Sequence, residues 1–235
     1  MHTLIDFITK TKGVEYLIAI TFMVGFIFFW KFVSQTKVQP ARVGVREWAR
    51  NLGDMIGGFI VPEELYFHQG HAWVRPESNN VVTVGLDDFA QKLVGKIDAI
   101  HLPGIKSKVK QGERGWSIEV GTKILDMLAP IDGEILTVNS DLIDSPEIVN
   151  NDPYGQGWLM KIRAPRLIAN LKNLLSGNIS KKWIEEVNSK LLSSLDYNLG
   201  LVYQDGGVPI DGMARNIDPD RWEEIAKEFL LVSEE

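Results

Sequence analysis

The sequence predicts a mainly β, barrel-sandwich domain with helices after it and one membrane-spanning helix before it. Three observations predict this. From Leu65 onward apolar residues recur with a period of two, in short runs separated by turn residues every ten or so positions. After Arg163 the period lengthens to that of a helix. Near the start, Gly13 to Trp30 are eighteen residues with a single charge, Glu15. The expected division is a transmembrane anchor over residues 1–34, a juxtamembrane linker with a short helix over 35–64, the β domain over 65–165 and a helical extension over 166–235.

Composition narrows the function. The chain is 235 residues long, 45% hydrophobic and 24% charged, with a net charge of −6. That balance argues against nucleic acid as the main partner, because phosphate binding needs a basic face. There is no cysteine. Disulfides, thiolate metal sites and protein-ligated iron–sulfur clusters are therefore excluded.

The N-terminal run is apolar on every face, whereas a helix buried in a soluble core normally keeps a polar stripe. Eighteen residues reach roughly 27 Å, near the hydrocarbon thickness of a bilayer. Tyr16 and Trp30 lie where interfacial aromatics belong. A cleaved leader is the competing reading, but no small-residue cleavage site follows the run. Lys31, Lys37, Arg42, Arg46 and Arg50 follow the span, against Lys10 and Lys12 before it. The expectation is a single-pass protein of the inner (cytoplasmic) membrane with its C-terminal domain in the cytoplasm. Residues 45–52 read as a short helix at the lipid surface, and Gly53, Gly57, Gly58 and Pro62 as linker punctuation.

In the β domain, strands are expected over residues 72–75, 81–85, 96–102, 115–120, 124–128, 133–138 and 158–162. A short helix over residues 87–93 has Asp87 as its cap and Gly95 as its stop. In the run from Asn150 to Leu159, Asp152-Pro153 starts a turn, Tyr154 offers a ring, and Gly155 and Gly157 permit positive φ. That run reads as architecture. Beyond it, residues 167–175 form a helix ending at Gly177. Ser180 caps a longer helix with Trp183, Ile184, Val187, Leu191, Leu192 and Leu195 on one stripe. Residues 199–203 read as a strand and 204–207 as its turn. Asp218-Pro219 starts a last helix with Trp222, Ile225, Ala226, Phe229 and Leu230 on its apolar face.

These segments carry a resemblance. His71-Ala72-Trp73-Val74, Val82 to Gln91, Leu128 to Ile135 with Val138-Asn139, and above all Ser145 to Leu159 resemble the H protein of the glycine cleavage system. The likeness covers roughly residues 65–163 and implies a lipoyl, H-protein-like barrel-sandwich fold. In that family lipoate is carried on a lysine at a hairpin tip, within a Glu-Ser-Val-Lys-Ala pattern. Counted without gaps from Ala129-Pro130 or from Gly112, this chain places Glu119 on the glutamate and Thr122 on the lysine. Lys123 falls one place late. A threonine hydroxyl cannot form the amide to lipoate, and a one-residue slip in a strand turns the side chain to the other face.

Two functions lead at this point, ahead of an enzyme using the C-terminal extension, for which no acid, base and nucleophile converge in the sequence. One is a non-enzymatic H-protein-like subunit without lipoate, docked to the protein subunits of a membrane-associated redox or dehydrogenase complex. The other is a working carrier with lipoate on Lys123, the tip having rearranged at Gly121. Nothing else forms a catalytic set. His68 and His71 have helical metal-ligand spacing but Gly70 between them, with no carboxylate to complete a site, so no metal is expected. His101 has no nucleophile beside it. Gly112, Gly115 and Gly121 form no phosphate loop. Lys106, Lys108 and Lys110 read as solvated protection of a strand edge.

Overall fold

The structure, a computed structural model, describes residues 11–34, 55–193, 203–204 and 208–232. The chain forms two compact units, Met1–Ala49 and Arg50–Glu235.

In the first unit Thr11–Ser34 form one α-helix, α1. Leu17, Ile18, Phe22, Phe26 and Phe29 are all exposed. The Thr21 hydroxyl donates to the Leu17 carbonyl at 2.8 Å and so is satisfied within the helix. Among the described residues no helix is long and apolar enough to cross a membrane. Where the transmembrane helix was expected before the β domain, the structure thus has a helix with exposed apolar side chains, and no membrane span is shown. The juxtamembrane helix expected over 45–52 lies outside the described residues.

The second unit starts earlier than the sequence pattern suggests. Met55–Ile56 (β1) and Phe59–Ile60 (β2) pair as a hairpin turned by Gly57-Gly58, where a linker was expected. Phe59 is fully buried against Phe89, their ring centroids 5.0 Å apart. Next come Tyr66–His68 (β3), Ala72–Pro76 (β4), Val81–Leu86 (β5), Asp88–Val94 (α2), Ala99–His101 (β6) and Lys108–Val109 (β7). Arg114–Val120 (β8), Lys123–Leu128 (β9), Gly133–Val138 (β10), Asp141–Asp144 (α3), Ile148–Asn151 (α4) and Trp158–Arg163 (β11) follow. The last elements are Leu167–Leu171 (α5), Leu175–Ser176 (β12), Asn178–Ser193 (α6), Tyr203–Gln204 (β13), Val208–Pro209 (β14), Met213–Ile217 (α7) and Trp222–Leu230 (α8).

One sheet runs β12-β3-β4-β5-β11-β10-β7 and a second β6-β8-β9. Their inward residues, among them Trp73, Val84 and Ile162 from the first and Ile118, Leu125 and Met127 from the second, form a single core. Asp87 caps α2 as expected, accepting from the Ala90 amide at 2.8 Å, and Gly95 ends it at φ +80°.

The Asn150 to Leu159 run is the bracket that holds α2 to the sheet. Trp73 Nε1 donates to the Pro153 carbonyl at 3.0 Å, and Arg75 to the Tyr154 carbonyl at 2.6 Å. The Tyr154 hydroxyl donates to the Ile60 carbonyl at 2.6 Å and accepts from the Asp88 amide at 3.0 Å. Gly155 and Gly157 are not in the left-handed region expected for them. They are glycines because a Cβ on Gly155 would run into the Asp152 carboxylate, and one on Gly157 would lie 2.7 Å from the Asp152 carbonyl oxygen.

Three details of the extension also differ from expectation. The first helix stops at Leu171, and Leu175-Ser176 leave it to pair with Phe67 and Tyr66. Ser180 lies inside α6, its hydroxyl donating back to the Gly177 carbonyl at 2.7 Å, so it does not cap. Asp218 accepts from the Asp220 and Arg221 amides at 3.0 Å, and the regular helix begins only at Trp222. Leu195, the strand start at 199–202 and the turn at 205–207 lie outside the described residues. The extension packs within the same compact unit as the β domain.

Candidate functional site

The β8–β9 hairpin closes through two residues, Gly121 and Thr122, with Val120 opposite Lys123 and Ile118 opposite Leu125. Positive φ at Gly121 (+65°) and not at Thr122 is the pattern of a type II′ turn, whose twist suits a two-residue hairpin. Thr122 therefore sits at the exposed tip. Lys123 is the first residue of β9 and shares the face of Leu125 and Met127, both fully buried. One step in sequence separates an outward tip position from one aimed along the inner face.

Lys123 is tied down there. Its Nζ lies 2.6 Å from Glu223 Oε2 on α8, and Lys227 holds the other oxygen of Glu223 at 2.8 Å. These two ammonium groups, Lys123 first, hold the Glu223 carboxyl below its usual range. Half of the Lys123 side chain remains accessible (50%). The Gly121 amide donates to Asp98 Oδ2 at 2.7 Å, and that bond is the main cause holding the Asp98 carboxyl low. On α7, Arg215 lies over the Trp222 ring at 4.6 Å, and its Nη2 would be 3.3 Å from a Cβ on Gly121. The outer face of the hairpin carries Ile124, 55% exposed, and Glu119, 3.4 Å from His101 Nε2.

The other residues singled out from sequence lie elsewhere. His71 is buried, in a left-handed conformation at φ +61°. Its Nδ1 is 2.8 Å from Asp87 Oδ2, and its ring lies between Phe89 (4.6 Å) and Trp183 (4.7 Å). His68 accepts from the Gly70 amide at 3.0 Å, and burial, with His71 beside it, lowers its pKa. Among the described residues no group of three or more His, Cys, Asp or Glu side chains is placed to hold a metal. Lys108 lies on β7 at the end of the large sheet, and Lys110 pairs with Glu113 at 3.0 Å.

What the arrangement offers chemically is limited. The tip holds one hydroxyl and, beside it, one primary amine engaged by a carboxylate. Sequence reasoning missed Glu223, Lys227, Arg215 and Asp98. The i,i+4 spacing of Glu223 and Lys227 marks a paired helix face, but nothing in it tells that the third partner is a hairpin a hundred residues earlier.

Known proteins place this fold. The model of the family described as glycine cleavage H-protein matches residues 65–187. A second family model, described only as a protein, matches residues 1–37. The glycine cleavage system H protein of Idiomarina loihiensis is 40% identical over 126 residues, 54% of this chain and 97% of that protein. That of Carboxydothermus hydrogenoformans is 36% identical over 127 residues, 54% of this chain and 96% of its own length. A crystal structure of a glycine cleavage system H protein from Mycobacterium marinum is 28% identical, with a TM-score of 0.42, covering 45% of this chain and 87% of that one. With the family's model matched over 123 of 235 residues, the chain belongs to the glycine cleavage H-protein family.

Proposed function

We propose that this chain is an H-protein family member without a lipoyl arm, held at a membrane and acting as a docking subunit for cytoplasmic redox or dehydrogenase partners. One observation carries the reading. The exposed tip position is Thr122, which has no amine, while the adjacent Lys123 lies on the inner-face register and is paired with Glu223. An arm that swings between enzymes needs its root at the tip and its amine free before modification. The exposed apolar face of α1 supports the membrane part, since apolar side chains left out in water are unfavourable by roughly 25 cal/mol per Å².

A second reading has its own support. Relatives 45% and 40% identical to this chain are named glycine cleavage system H proteins, and Lys123 is half accessible, so a carrier with lipoate on Lys123 is the alternative. Lys123→Arg separates the two. It removes the amine that could be acylated and keeps a cation for Glu223. On the docking reading, the variant purified in mild detergent retains the partner subunits and cellular activity of the wild type. Loss of that activity with partners still bound supports the carrier.

A further inference from the structure

The tail beyond α6 gives the hairpin tip an occupant. Met213, Ala214, Ala226 and Leu230 are fully buried, and Trp222 and Phe229 nearly so. Phe229 packs on Phe89 of α2 with ring centroids 5.9 Å apart. Gly95 and Gly212 meet backbone to backbone: a Cβ on Gly95 would lie 2.8 Å from the Gly212 Cα, and the Gly212 amide donates to the Lys92 carbonyl at 2.8 Å. Glycine at position 95 lets the two segments approach this closely, while Gly212 is there for its left-handed φ of +76°. The seat on α2 thus fixes α7 and α8 by their apolar faces, and their polar edge is brought to the tip. There Glu223 takes Lys123, and the Arg215 guanidinium comes beside Gly121.

We infer that the C-terminal segment Met213–Leu230 is a built-in cap on the inner side of the hairpin tip, in which α8 engages the Lys123 amine through Glu223 and closes that side of the tip to other proteins. Any partner then meets the tip from its outer side, past Thr122 and Ile124. The inference rests on the reading of the tip as armless, and it adds the element that keeps the neighbouring lysine from standing in for the arm.

Amine reactivity of the full-length protein in mild detergent tests it. The protein is treated with a limiting dose of a water-soluble acetylating ester, and each lysine is followed by peptide mass spectrometry. Lys96, with 82% of its side chain exposed, serves as the internal reference. In the wild type Lys123 acetylates several-fold more slowly than Lys96. Glu223→Gln, which removes the charge at nearly constant size and so leaves the apolar seat intact, raises the Lys123 rate by about threefold, in keeping with loss of a partly exposed ion pair, and leaves Lys96 unchanged. Lys123 reacting as fast as Lys96 in the wild type, or unmoved by Glu223→Gln, overturns the cap and leaves the armless reading standing. A lipoyl group already on Lys123 overturns both.

Discussion

Thr122 and Lys123 are neighbours with opposite prospects, because a strand turns successive side chains to opposite faces. The tip position projects into solvent and the next one runs back along the sheet toward Glu223. Moving the amine by one place should therefore put it where a lipoyl arm would root. In Thr122→Lys an amine stands at the tip, and a lipoate–protein ligase is expected to modify it in vitro while leaving the wild type unmodified. Equal labelling of both proteins would count against the register. A second residue-scale prediction concerns Tyr154. Its hydroxyl is shared between the Ile60 carbonyl and the Asp88 amide, and burial, with Asp87 and Asp88 nearby, pushes its pKa up, so it stays protonated. Tyr154→Phe strands a part-buried carbonyl and amide, at a cost of about 1–3 kcal/mol in urea unfolding.

At the scale of elements, the docking of α8 depends on its apolar face more than on its ion pairs. Phe229 is 7% exposed and packs on Phe89. Phe229→Ala should destabilise the second unit by about 3 kcal/mol and speed amide exchange selectively in residues 213–230. Much at this scale was legible in advance. The period-two runs gave β4, β5 and β8 to β11 nearly to the residue, because alternating apolar side chains leave a strand little choice of face. The β1–β2 hairpin was read as linker because Gly57 and Gly58 punctuate both linkers and tight turns. Nothing local says that Phe59 has a pocket waiting beside Phe89. The pairing of β12 with β3 was hidden for the same reason: two residues carry no period, and their partner lies more than a hundred positions away. The tip was legible as a tip, but its contact with α8 is a long-range packing event with no signature of its own.

For the molecule as a whole, several carboxyls have their pKa values held down in the folded state. Asp132 is lowered chiefly by the Asn170 amide, Glu77 by Lys161, Asp98 by the Gly121 amide and Glu223 by Lys123. A carboxyl lowered by folding contributes stability that is fully present above its unfolded pKa and is lost as pH falls through the folded one. The unfolded values are 4.5 for glutamate and 3.8 for aspartate. Stability should therefore be level above about pH 5.5 and decline progressively below about pH 4.5, read as the urea midpoint at successive pH values. A midpoint that rises on acidification would contradict those pairings. The exposed helix α1 makes a separate demand: the intact chain should sediment with membranes and resist extraction by high salt, and a chain lacking residues 1–34 should be released.

The central claim is that the hairpin kept its architecture and lost its arm. The intact mass of the native protein, isolated from its own cells and followed by peptide mapping of the β8–β9 hairpin, tests it most directly. The predicted result is the mass of the unmodified polypeptide with Thr122 and Lys123 both bare. A mass gain of one lipoyl group, mapped to Lys123, would contradict it.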